Sequence, residues 1–149
     1  GSGPFPTELF DAPGETLRQV GNEFGATTGR PRRCGWLDLV ALKYAVMMNG
    51  VTGLIMMKSD ILNDFDTIKV AVGYEVNGEK VDYFPYEADD NIVPVYREFE
   101  GWNCDICNVR DFDQFPQQFK DYVAFIEAEC GVPVKIISVG PDREETIVR

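Results

Sequence analysis

The 149-residue chain contains no histidine. That absence excludes imidazole general-base catalysis, Ser/His or Cys/His dyads supplied within the chain, and His-ligated metals. Neither G-x-x-x-x-G-K-[ST] nor G-x-G-x-x-G occurs, so no phosphate-cradling loop is recognisable and half of a nucleotide site is the most the chain shows. The longest apolar stretches fall far short of the ~20 residues of a membrane span, and no basic-then-apolar leader opens the chain. No Asn-x-Ser/Thr sequon occurs. Cysteine is sparse, with only Cys104 and Cys107 close together among four, and reduced thiols in a cytoplasmic protein are the expectation. Their C-x-x-C spacing suits a zinc knuckle, but a structural zinc needs two more ligands, and Cys34 and Cys130 are isolated. As a redox pair they lack a preceding strand and an evident helix start, so ordinary thiols and no metal site are expected.

What is present describes a folded domain. Hydrophobic residues make up 44% and charged residues 26%, which disfavours disorder, collagen and coiled coil. The length suffices for a core without disulfide staples, and no repeat, low-complexity tract or linker divides residues 1–149. The net charge of -11 is unevenly spread: residues 1–60 carry six acids and six bases, and the other 89 carry 19 acids and eight bases. A generally acidic surface opposes nucleic-acid binding, whose main favourable term is phosphate neutralisation by Lys and Arg. The neutral first part keeps the capacity for a local anion site.

Pro13-Gly14-Glu15 resembles a helix start, and Leu17, Val20 and Phe24 recur at helical spacing. The pattern breaks over 26–33. Residues 36–49 are apolar on nearly all sides and Gly50 follows, which predicts a buried helix. Residues 51–57 form a short apolar run, the pattern of a parallel strand covered on both faces. Asn77-Gly78 predicts a type I′ hairpin pairing Val76 with Glu79, Tyr74 with Val81 and Val72 with Tyr83. Val72, Tyr74, Val76, Val81 and Tyr83 would then share one face, and Glu75 would meet Lys80 on the other. Residues 89–113 read as irregular chain with a strand near 93–99. Phe119, Tyr122, Val123 and Ile126 stripe a helix over 115–130 that starts at Pro116 and stops at Gly131. Residues 134–139 are a second buried strand. The order predicts the α/β class: part of a mixed, mainly parallel sheet flanked by helices, with an antiparallel β-hairpin addition.

Ala26-Thr27-Thr28-Gly29-Arg30-Pro31-Arg32-Arg33 places three guanidinium groups within four residues. Arginine's planar fork of donors fits carboxylate or phosphate at two points, and loop amides and Thr hydroxyls complete such a cradle. An anionic small molecule is the natural ligand, and a solvated basic loop is the alternative. Lys58-Ser59-Asp60 ends a buried strand, where ligands of open α/β sheets bind. A carboxylate there accepts two hydrogen bonds from guanine, through its ring N–H and its exocyclic amine, while a Lys stem lies along the base. Adenine lacks that donor pair. The second strand ends in Ser138-Val139-Gly140, whose backbone N–H groups can serve the same base. Each signal is weak alone, and a solvated strand end is the alternative.

Gly3-Pro4-Phe5-Pro6-Thr7-Glu8, the run from Gly21 through Thr27-Thr28-Gly29-Arg30-Pro31-Arg32-Arg33 to Asp38, Lys58-Ser59-Asp60 and Gly140-Pro141-Asp142-Arg143 closely resemble the carboxyl-terminal third of adenylosuccinate synthetases. The resemblance covers essentially the whole chain in order. It implies a GTP-dependent ligase of purine (AMP) biosynthesis, cytoplasmic and homodimeric, that joins IMP and L-aspartate to give adenylosuccinate, GDP and phosphate. By matching position, Ala26, Thr27, Thr28, Gly29, Arg30, Pro31 and Arg32 would be the aspartate loop, with Thr28 and Arg30 on aspartate and Arg30 also facing IMP. Arg32 would reach aspartate and GTP. Lys58, Ser59 and Asp60, with Ser138, Val139 and Gly140, would hold the guanine. The family often has Thr-Lys-Leu-Asp where Met57-Lys58-Ser59-Asp60 stands here. Its glycine-rich phosphate loop, catalytic Asp and His, and Mg²⁺ ligands would precede Gly1, so this chain would supply no catalytic group and be inactive alone. A non-catalytic guanine-nucleotide or dicarboxylate binding module is the competing reading.

Overall fold

Asp11 opens the first helix: its side chain accepts the Gly14 N–H at 3.4 Å and Pro13 stands in the first turn, so α1 runs Ala12–Val20. This computed structural model describes residues 3–86 and 91–149. After α1 come β1 (Leu37–Asp38), α2 (Leu39–Asn49), β2 (Leu54–Met56), β3 (Thr67–Val76), β4 (Glu79–Val81), β5 (Ile92–Glu100), α3 (Gln117–Cys130), β6 (Val134–Ser138) and β7 (Thr146–Val148). Short 3₁₀ turns occupy Ser59–Leu62, Phe112–Gln114 and Arg143–Glu145. The α/β class with mixed sheets and flanking helices is as the sequence predicts. The chain divides into two compact units, one of residues up to Tyr44 with Lys69–Glu98, the other of Ala45–Ile68 with Phe99–Arg149.

The first unit is built on a sheet in which β3 pairs with β1, β4 and β5. Strands β1 and β3 run parallel, Leu37 opposite Val70 and Asp38 opposite Ala71. The hairpin forms in the expected register, with Tyr74 opposite Val81, Glu75 opposite Lys80 and Val76 opposite Glu79. It stops there: β4 ends at Val81, Tyr83 is 61% exposed, and the Val72–Tyr83 pair does not form. Tyr74, Val40 and Ile92 form one core cluster of this unit, with Val76, Val81 and Phe84 against it, each full burial contributing on the order of 2 kcal/mol. The Tyr74 hydroxyl donates to the Asp38 carboxylate, which with burial pushes the phenol pKa far up.

The expected buried helix over 36–49 is corrected on two points. Leu37 and Asp38 belong to β1, and the helix starts only at Leu39, where the Asp38 carboxylate accepts the Ala41 N–H at 3.1 Å. Only Leu39 and Val40 are buried; Tyr44, Met47 and Met48 are 49%, 69% and 62% exposed. An all-round apolar helix promises burial, but here only its first turn is buried. Similarly, α1 ends at Val20 rather than reaching Phe24, because Gly21 closes it and Phe24 bridges to Pro31.

The second unit holds the three-stranded sheet β2-β6-β7, with β2 parallel and β7 antiparallel to β6. The parallel pairing of β2 is as expected, but cover on both faces is not: Ile55 is 60% and Met57 66% exposed. Helix α3 buries the predicted stripe of Phe119, Tyr122, Val123 and Ile126, and Gly131 closes it at φ +68°. Phe115 stacks on Phe119 at 4.2 Å, and Trp102 meets Phe119 edge-on at 4.9 Å. All four cysteines are free thiols. Strand β7 carried no sequence signal of its own. Asp89 and Asp90, at the start of the expected irregular stretch, lie outside the described residues.

Candidate functional site

The arginine loop is closed by its own backbone. The Gly25 N–H donates to the Arg30 carbonyl and the Gly29 N–H to the Gly25 carbonyl, both at 2.8 Å. Gly29 sits at φ +66°, where a side chain is strained. The Thr28 hydroxyl accepts the Arg30 N–H at 3.3 Å, and every residue from Ala26 to Arg33 is exposed. The three guanidinium groups, equal in the sequence, are unequal here. Arg33 is bound to Glu8 at 2.7 Å, donates to the Gly3 carbonyl and lies over the Phe5 ring, and the Glu8 hydrogen bond holds it firmly charged. Arg32 pairs with Glu23 at 2.9 Å, while Arg18 Nε donates to its carbonyl at 3.0 Å. The Arg30 guanidinium has no partner among the described residues and is the one left open to an anion.

A second group of residues lies in the other unit, at the carboxyl ends of two parallel strands. Because β2 and β6 pair in parallel, with Met56 opposite Ile137, Lys58-Ser59-Asp60 and Ser138-Val139-Gly140 leave the sheet at the same end. Lys58 turns the chain at φ +54° into the Ser59–Leu62 turn, which touches β6. Ser59 Oγ and Asp60 Oδ1 are buried without hydrogen-bond partners. Native structures rarely leave such atoms unpaired without a use for them. Burial raises the Asp60 pKa, Glu145 and Asp105 push the same way, and Lys58 opposes them. Ser138 Oγ donates to the Gly140 carbonyl at 2.9 Å. The Val139 N–H donates to the Glu145 carbonyl at 2.9 Å, and the Val139 side chain is fully buried. Gly140 packs so closely on Glu145 that a Cβ would lie 2.1 Å from Oε2.

Residues the sequence reading passed over complete this neighbourhood. Glu145 reaches it through a capping box with Asp142, whose N–H donates to Glu145 Oε2 at 2.8 Å, and the Asp-x-x-Glu spacing was a readable signal. Cys107, weighed as half of a zinc or redox pair and expected to be an ordinary thiol, is pushed up to about 12 by burial and by the Asp105 carboxylate, with Asp60 and Glu145 adding to the effect. Asn63 and Trp102 gave no signal. Among the described residues no three His, Cys, Asp or Glu side chains cluster to hold a metal ion, and no helix is long and apolar enough to cross a membrane.

The structure is that of an α/β protein in which the parallel strands β2 and β6 bring the Lys58-Ser59-Asp60 and Ser138-Val139-Gly140 segments to one end of the sheet, the end at which ligands of open α/β sheets bind. Comparison with known proteins narrows that class. The adenylosuccinate synthetase family model matches residues 1–147. The chain is 64% identical over 149 residues to the adenylosuccinate synthetase of Parabacteroides distasonis and 58% identical to that of Bacteroides fragilis, covering 100% of this chain and 35% of each relative. A solved structure, fully ligated adenylosuccinate synthetase from Plasmodium falciparum, superposes with a TM-score of 0.93 at 37% identity, covering 100% of this chain and 37% of that one. The chain belongs to the adenylosuccinate synthetase family, and it spans about a third of the length of the curated relatives it matches.

Proposed function

We propose that this chain is the aspartate- and guanine-binding third of a cytoplasmic, homodimeric purine-biosynthetic ligase that converts IMP, L-aspartate and GTP into adenylosuccinate, GDP and phosphate. The family match over residues 1–147 carries the reading. Geometry supports it in each unit. The open Arg30 guanidinium, in a loop where the Thr28 hydroxyl accepts the Arg30 backbone N–H, suits a dicarboxylate and the anionic face of IMP. Arg32, held only by an exposed carboxylate pair, is free to exchange Glu23 for aspartate or a GTP group. Asp60 accepts the guanine N1–H and 2-amino protons, the Lys58 stem lies along the base, and Ser138 with the Gly140 N–H borders its other edge. Phosphoryl transfer from GTP to the 6-oxygen of IMP, displacement of that phosphate by the aspartate amine, and the Mg²⁺ that accompanies GTP would draw on parts of the family's longer chain beyond the third matched here; among the described residues no three His, Cys, Asp or Glu side chains cluster to hold a metal ion. The exposed apolar residues on α2 and β2 suit a piece packed against further polypeptide.

The test is a graft. This chain replaces the matching segment of the P. distasonis synthetase, and adenylosuccinate formation from IMP, aspartate and GTP is followed. An active hybrid that loses activity with Asp60→Ala or Arg30→Ala supports the reading; a folded hybrid without activity, or one indifferent to both substitutions, sinks it. The chain alone should form no adenylosuccinate. If it nevertheless binds GTP or aspartate in calorimetry, it acts alone as a binding module.

A further inference from the structure

We infer that Asn63 is a positioning residue for base selection: it fixes the Asp60 carboxylate at the angle at which guanine, and not hypoxanthine, is read. The inference rests on Asp60 being the guanine acceptor. The turn that carries Asp60 is four residues long, and its first end has no side-chain cap. So short a 3₁₀ turn has little stability of its own. Its other end is held by Asn63. The Asn63 N–H donates to the Asp60 carbonyl at 3.1 Å, closing the peptide that bears the carboxylate.

The Asn63 side chain ties that end to the core at both of its amide atoms. Oδ1 accepts the Trp102 indole N–H at 3.2 Å, and Nδ2 donates to Asp105 Oδ1 at 3.3 Å. Trp102 can only donate and a carboxylate can only accept, so the amide has one orientation that satisfies both. Asp105 Oδ1 also accepts the Cys107 N–H at 2.9 Å. Trp102 is 5% exposed and wedged against Phe119 and Tyr122 of α3. Gly101 fixes its approach: the Gly101 N–H donates to the Asp66 carbonyl at 2.8 Å, and a Cβ there would lie 1.7 Å from the Phe65 carbonyl oxygen. Asp60 is thereby referenced to the α3 core through one side chain.

Base chemistry makes this testable. Hypoxanthine keeps the N1–H of guanine and lacks only the 2-amino group. A loosely held carboxylate still accepts the N1–H but loses the second, angle-dependent bond. Poor positioning therefore appears as lost discrimination between GTP and ITP rather than as lost binding. In the hybrid synthetase, Asn63→Ala should lower the GTP/ITP ratio of kcat/KM roughly tenfold or more, the worth of one hydrogen bond to a charged group. The KM values for IMP and aspartate should not move. Trp102→Phe, which keeps a ring and deletes the N–H, should lower the ratio in the same direction and carries the test if Asn63→Ala does not fold. Leu62→Ala softens the same turn without touching the network and should leave the ratio unchanged. An unchanged ratio in Asn63→Ala, or an equal fall in Leu62→Ala, overturns the inference while Asp60→Ala still abolishes discrimination. If Asp60→Ala keeps the ratio, the underlying reading of Asp60 fails instead.

Discussion

The arginine loop and the strand-end site solve ligand binding in opposite ways. In the loop the charges are exposed and the protein has engaged most of them already: Arg33 with Glu8 and Arg32 with Glu23, leaving Arg30 open. At the strand ends the polar atoms are few and buried, and Ser59 Oγ and Asp60 Oδ1 stand without partners. Exposed charge attracts at long range but is weakened by water and salt. A dehydrated carboxylate discriminates, because leaving it unpaired is expensive. The loop is therefore suited to capture, and the turn to selection.

The largest effect should follow from removing the selecting group. Asp60→Ala deletes two hydrogen bonds to a charged acceptor, which together correspond to about 3 to 6 kcal/mol. In the hybrid enzyme kcat/KM for GTP should fall by roughly two to four orders of magnitude. The melting temperature should hold or rise, since a buried unpaired carboxylate oxygen disappears with the side chain. A large loss of stability instead would mark Asp60 as structural and break the contrast with the loop.

Next in size are the loop arginines, which should separate sharply. Arg30→Ala should raise the aspartate KM roughly a hundredfold, the loss of a two-point guanidinium–carboxylate contact, with no change in melting temperature. Arg33→Ala should do the reverse, lowering the melting temperature through the lost Glu8, Gly3 and Phe5 contacts while leaving the aspartate KM alone. Equal kinetic effects from the two would mean that the loop works as a diffuse positive patch. Steady-state kinetics and thermal denaturation of both variants decide it.

Legibility in the sequence divides along the same line. The loop was visible because its chemistry is contiguous: three arginines in four residues need no fold to bring them together. Which of the three is open was not visible, since Glu8 and Glu23 reach them only through the bridges of Glu8 with Gly35 and Phe24 with Pro31. Lys58-Ser59-Asp60 was readable as a strand end, and parallel β2–β6 pairing brings Ser138 to it. Asn63, Trp102 and Asp105 come from separate segments and no local pattern announces them, whereas Glu145 is announced by the Asp-x-x-Glu spacing of its capping box. The stripe of α3 and the Asn77-Gly78 hairpin were legible because periodicity and turn chemistry are local. Burial of α2 was not, because an apolar helix shows only that cover is wanted, not which residues supply it.

A smaller effect concerns pH. Burial and the neighbouring Glu145 and Asp105 raise the Asp60 pKa, so its free form takes up a proton at higher pH than an ordinary carboxyl. Guanine donates two protons to the charged form, and therefore binding stabilises that form. Guanine selection should be complete above the raised pKa and decline as pH falls through it. The GTP/ITP ratio measures this without interference from the phosphates, which both nucleotides share. Glu145→Gln removes a repelling charge and should move the decline to lower pH. The loop predicts no such dependence, because guanidinium groups stay charged throughout.

The smallest expected change is at Ser59, and it tests whether the unpaired atoms of the turn are equivalent. Ser59 is 3% exposed and its Oγ has no partner, whereas the neighbouring Asp60 remains half-buried. A buried hydroxyl without a partner does not repay its own desolvation. Ser59→Ala removes one buried unpaired polar atom and leaves a space hardly larger than that atom. Stability should therefore hold or rise by up to about 1 kcal/mol, with GTP kinetics unchanged. Denaturant unfolding together with the GTP/ITP ratio reads both quantities. If Ser59→Ala instead loses selectivity, the hydroxyl becomes accessible when nucleotide binds, and the strand-end turn moves in reading guanine rather than waiting preformed.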